Sequence, residues 1–241
     1  MKRNGILLLL LLIVLGMVRE TAVSARTKGE QLIYLPLITK PSLQLGPNLL
    51  PNPSFEGSWY HPNGIPELQI PDGWLFSWDE GPTGFGSQPW DVWVRPEVRV
   101  LPSEQLPPDE QPLFIWEGNQ TLKIFKGWGA ISFRLTTSLN LQPGTYLMDI
   151  NFFPDLVTEY VNGEKVFATD PLAGEVAFIV DGAQTAWMLP TFGEQNNLTH
   201  TFTLEESDTI SIGIAMRGRF ALLNNGWFMD DWSLQQIITS E

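Results

Sequence analysis

The 241-residue chain is acidic, with a formal net charge of −13, and has no cysteine, which excludes disulfides, thiolate metal sites and cysteine nucleophiles. That charge gives nucleic acid and anionic lipid no bulk attraction. Ten tryptophans, 21 glycines and 19 prolines beside only 17% charged residues are the balance of a turn-rich all-β domain.

Residues 1–25, "MKRNGILLLLLLIVLGMVRETAVSA", have the pattern of a secretory leader. Lys2 and Arg3 precede an apolar run from Ile6 to Val18, and Val23-Ser24-Ala25 offers small residues for cleavage. The run is short for a spanning helix, which needs roughly 20 residues, although retention as an anchor is the alternative. Removing the leader takes a net +2 from −13 and leaves −15. The expectation is a secreted or cell-surface chain with no membrane attachment after processing.

Residues 26–47 form a connector containing "QLIYLPLITKP", an apolar burst between prolines that suits an added edge strand, an attachment sequence or a mobile arm. The domain proper spans 48–238. Pro51–Pro112 is loop-rich and holds Trp59, Trp74, Trp78, Trp90 and Trp93. Beyond it, Leu122–Phe125 and Ala130–Leu135 are two short strand-like runs around a glycine-flanked tryptophan. In "TYLMDINFF" Tyr146, Met148, Ile150 and Phe152 alternate with the intervening residues, the period of a half-buried strand. "EVAFIVDGAQTAWML" predicts a hairpin turning at Asp181-Gly182. "TISIGIAM" places Ile210, Ile212, Ile214 and Met216 on one face.

The closing stretch "GWFMDDWSLQQI", 226–237, also has strand character but sets Asp230 and Asp231 side by side among aromatics. Strict alternation would put Phe228, Asp230, Trp232 and Leu234 on one face and Asp231 on the other. A carboxylate on an apolar face needs a partner more than one in water does. The candidates are loop amides, with Asp231 left to solvent, or a cation.

"NLLPNPSFEGSW" (48–59) and "WFMDDWSL" (227–234) together resemble the opening and closing of carbohydrate-binding modules with a galactose-binding-domain-like jelly roll. Between them "IPDGW", "TLKIF" and "LQPGTYLMDINF" resemble the motifs that follow in such domains. The resemblance implies a two-sheet antiparallel β-sandwich whose first and last strands lie close together. It also implies a structural calcium held by Glu56 and Asp230, with Asp231 as partner or replacement; calcium takes about six to eight hard oxygens, and loop carbonyls can complete its shell.

Indole faces stack on sugar rings, and neighbouring carboxylates fix the hydroxyls. Trp90, Trp93, Trp128 and Trp116, with Glu97, are therefore the candidate ligand-binding residues, whereas Trp74, Trp227 and Trp232 are expected in the core. No G-x-S-x-G, H-E-x-x-H or phosphate-cradling loop is present, and Asp79, Glu80, Asp109 and Glu110 have the look of solvated loop acids. The expected function is non-catalytic recognition of a glycan or cell-surface polysaccharide by a monomer. The alternatives are a surface domain making protein contacts and a glycan-cleaving enzyme.

Overall fold

The computed structural model describes residues 44–238, of which Gly46–Ile237 form one compact unit. The leader and the connector through residue 43 lie outside the described residues. Within this unit the strands used below are β1 (Leu75–Trp78), β2 (Glu97–Pro102), β3 (Gln120–Lys126), β4 (Ile131–Leu141) and β5 (Gly144–Val161). They continue with β6 (Glu164–Phe167), β7 (Gly174–Val180), β8 (Asn196–Leu204), β9 (Asp208–Gly218) and β10 (Asn224–Ile238). One short helix, α1 (Gln111–Phe114), lies between β2 and β3. Among the described residues no helix is long and apolar enough to cross a membrane.

The first sheet runs β6-β5-β10-β3-β2, with β8 pairing the first half of β5 and β6 its last turn of chain. The second runs β7-β9-β4-β1, and the two-residue strand Ala183–Gln184 extends its β7 edge. Every pairing between these strands is antiparallel. The Asp181-Gly182 hairpin forms as expected, with φ of 51° and 72°, the left-handed pair that such a turn needs.

The inner faces follow period two. Tyr146, Met148, Ile150 and Phe152 of β5 meet Ile210, Ile212, Ile214 and Met216 of β9 in one core. Phe55, Trp74 and Trp232 form an aromatic knot in it, with ring centroids 5.4–5.8 Å apart. Both buried indole N–H groups are satisfied: Trp74 donates to the Pro51 carbonyl at 2.9 Å and Trp232 to that of Asn151 at 3.0 Å. Asn48 ties the opening segment to β10 by donating to the Trp232 carbonyl (2.8 Å) and accepting from the Leu234 amide (3.0 Å). The opening segment and last strand are thus neighbours.

The strict alternation expected for β10 is corrected. Its register against β5 slips between Asp149 and Asn151, and Asp231 opposite the slip has φ of 50°. This bulge changes parity. Trp227 and Met229 therefore share the main core with Trp232 and Leu234, while Phe228 faces the other way into a second cluster with Leu106, Phe114 and Phe153. That outer cluster is roofed by the segment carrying α1, whose Phe114 stacks on Phe228 at 3.7 Å between centroids.

Candidate functional site

Because β7, β9 and β4 turn their large apolar residues inward, their intervening residues form the outer face of the second sheet. Pairing places Glu175, Arg217 and Ser132 in one row, and Ala177, Ala215, Arg134 and Ser77 in the next. The middle of this face is made of small residues, Ala177, Ala215 and Gly213, and all three are buried.

Charge and aromatic surface gather along the first row. Glu175, 4% exposed, accepts from Nε of Arg217 (2.5 Å) and Nε of Arg219 (2.6 Å). The Arg217 guanidinium lies 4.1 Å from the Trp187 ring centre and 5.0 Å from that of Phe85, and the Arg219 guanidinium lies 3.9 Å from Phe85. Burial alone would push the Glu175 carboxyl up, but hydrogen bonds and charge from both arginines prevail and hold it below its ordinary value. Among the described residues the side-chain hydrogen bonds of these arginines use Nε only. Their Nη groups remain as planar donors. Asp79 closes the row, accepting from Ser132 Oγ (2.6 Å) and pairing with Arg134 (3.1 Å), so it is not the solvated loop acid expected. Fixed donors beside aromatic faces suit a hydroxylated ring.

The residues singled out from sequence do not converge there. Trp90 is 60% exposed on the 83–91 loop, and Trp128 is 72% exposed at the β3–β4 turn, where its φ is 55° and its amide donates to Leu222. Trp93 is corrected: it is 9% exposed, with Phe85 packed on its edge, and presents no open face. Trp116 packs against the outer cluster of the first sheet. Glu97 lies in that sheet and is spent on Lys126 (3.2 Å) and Arg99 (3.3 Å). The sequence reading left out Glu175, Arg217, Arg219 and Phe85. Each sits in a separate segment, and only strand register joins them.

The paired acids have a different task. Asp230 Oδ2 accepts from the amides of Trp116 (2.7 Å) and Glu117 (2.9 Å), and Oδ1 from that of Asp231 (2.7 Å). Glu56 Oε1 accepts from the amides of Asn119 and Gln120, both at 2.6 Å. Two carboxylates thus grip one loop, 116–120, from its two ends. Gly118 permits this: its φ is 70°, and a Cβ there would collide with the Glu56 carboxylate. Burial pushes the Asp230 carboxyl up, to about 7, against the pull of its three amides. Asp231 is exposed, and its carboxyl is raised by burial and by the charges of Glu117 and Asp149. Among the described residues no three His, Cys, Asp or Glu side chains gather as a metal-holding group. Among the described residues Glu56 Oε2 has one 3.5 Å contact, from Gln120, and the Asp231 carboxylate accepts no hydrogen bond.

No family model matches the chain, and no curated protein matches it. Among solved structures it is similar to a family 61 carbohydrate-binding module in complex with β-1,4-galactotriose: TM-score 0.50, 18% identity, covering 79% of this chain and 99% of that module. It is also similar to a Stig cyclase from Fischerella sp. TAU (TM-score 0.46, 17% identity, 83% and 100% covered). A family 22 xylan-binding domain from Paenibacillus barcinonensis matches at TM-score 0.41 and 12% identity, with 84% and 100% covered. Strand order, sheet count and the first of these likenesses agree on one architecture: the chain has the two-sheet antiparallel jelly roll of carbohydrate-binding modules.

Proposed function

We propose that the chain is a non-catalytic module that binds a polysaccharide across the outer face of its second sheet. The observation that carries this reading is the pair of guanidiniums locked on Glu175, leaned on by Trp187 and Phe85, with their Nη donors uncommitted. The aromatic rings would cover the apolar face of a sugar while the donors take its hydroxyls. The site has no acid and nucleophile poised together, since Glu175 and Asp79 are both neutralised by arginines.

A glycan array tests the proposal. The chain should retain at least one polysaccharide class without releasing sugar product, and Trp187→Ala should weaken that binding at least tenfold. A silent array, with a protein partner recovered by pull-down, would favour the surface-contact alternative; product release would favour the enzyme.

The same proposal includes the calcium that the resemblance implies. Glu56 Oε2 and the Asp231 carboxylate are the oxygens open to it, while Asp230 would have to release a loop amide. Chelator should then lower Tm by about 4–8 °C, the effect of roughly 2 kcal/mol in a domain this size. An unchanged Tm would mean that amides alone hold the loop. Export is part of the reading too, and intact mass of the secreted product should place its first residue at Arg26.

A further inference from the structure

The outer face of the first sheet carries a second, independent constellation. Strand register sets Phe153, Phe228, Lys123 and Arg99 in one row and Asp155, Gly226, Phe125 and Glu97 in the next. The segment from Ser103 to Phe114 crosses above, leaving a cavity of about 600 Å³ between its Leu106, the Lys123–Phe228 floor and a far wall with Asp155 and Leu223. The roof is preformed, because Asp230 and Glu56 hold the loop that follows it.

One polar group in this cavity lacks what its chemistry asks for. Lys123 Nζ lies 4.7 Å from the ring centre of Phe125 and 4.8 Å from that of Phe228, and it makes no ion pair or hydrogen bond among the described residues. The neighbouring Lys165 is by contrast fully engaged, 2.8 Å from Glu110 and 3.1 Å from Asp155. Burial lowers the Lys123 ammonium below its ordinary value, and Lys165 adds to that against the opposing charges of Asp155 and Glu110. Asp155 is 2% exposed and already engaged: its Oδ2 accepts from Asn224 (2.8 Å) and its Oδ1 pairs with Lys165 Nζ (3.1 Å). A cavity of this size, with apolar wall at Leu106 and Phe228 and one uncommitted cation, matches a small ligand.

We propose that this cavity is a second binding site, for a small organic acid with an apolar body. Its carboxylate would pair with Lys123, and its body would lie on Phe228 and Leu106. The site is on the opposite sheet from the glycan face and does not depend on that reading.

Phenylacetate and benzyl alcohol are the probes, titrated into the chain by calorimetry. Phenylacetate should bind at least tenfold more tightly than benzyl alcohol, and Lys123→Met, which keeps the apolar stem between the two rings, should abolish that advantage. Trp187→Ala should leave both affinities unchanged. In the wild type, NMR of the Lys123 side chain should show its Nζ resonance move on phenylacetate addition, a readout that needs no variant to fold. Phenylacetate binding no tighter than benzyl alcohol, or a still Lys123 resonance, would overturn the site.

Discussion

Replacing Asp230 with alanine should cost about 2–4 kcal/mol in a urea titration, among the largest effects of any polar substitution in this domain. The carboxylate is fully buried and satisfies three main-chain donors. Without it the amides of Trp116 and Glu117 are left facing a void, and the loop is gripped only by Glu56 at its other end. Asp230→Asn should recover only part of the loss. Its carbonyl can serve one side, but its NH₂ then confronts a second donor. A further consequence separates this from a simple core defect: the roof over Phe228 should loosen, raising hydrogen exchange in 103–117 before the sheets open. Wild-type stability and exchange in Asp230→Ala would show that the loop is held by its own turns.

Glu175→Gln should have the second large effect, about 3–5 kcal/mol, with loss of glycan retention. The side chains of Arg217 and Arg219 are only 17% and 14% exposed, so removing their shared carboxylate leaves two poorly hydrated cations beside each other. The guanidiniums should then swing away from Trp187 and Phe85, taking the proposed donors with them. A pH series supplies the check. The folded-state carboxyl sits below its ordinary 4.5, so its contribution is complete above that pH and is lost as pH falls through the lowered folded value. The variant should lack this part of the acid limb. An identical acid limb in both proteins would mean that the arginines gain nothing from Glu175.

Local pattern was enough to place much of this structure. The alternation in 145–153 and 209–216, the Asp181-Gly182 turn and the burial of Trp74, Trp227 and Trp232 all depend on residues within a few positions of each other, and period two survives any tertiary surroundings. The strand Asn196–Leu204 was not anticipated because it is an edge strand: Leu198, Phe202 and Leu204 alternate correctly, but His200 interrupts their face, and Asn197, Thr199, Thr201 and Thr203 fill the exposed positions.

The sequence by itself thus determined an all-β chain whose inner faces are apolar, whose ends meet and whose paired acids need partners. Only the tertiary structure decided which partners those are. A bulge at Asp231 exchanged the faces of β10, and two carboxylates met amides of a loop more than 60 residues from Glu56 and more than 110 from Asp230. The glycan face was equally a product of register, since Glu175, Arg217 and Phe85 become neighbours only when β7 and β9 align and the 83–91 loop folds over them. Spacing along a chain encodes which side of a strand a residue takes, but not which distant strand will lie beside it.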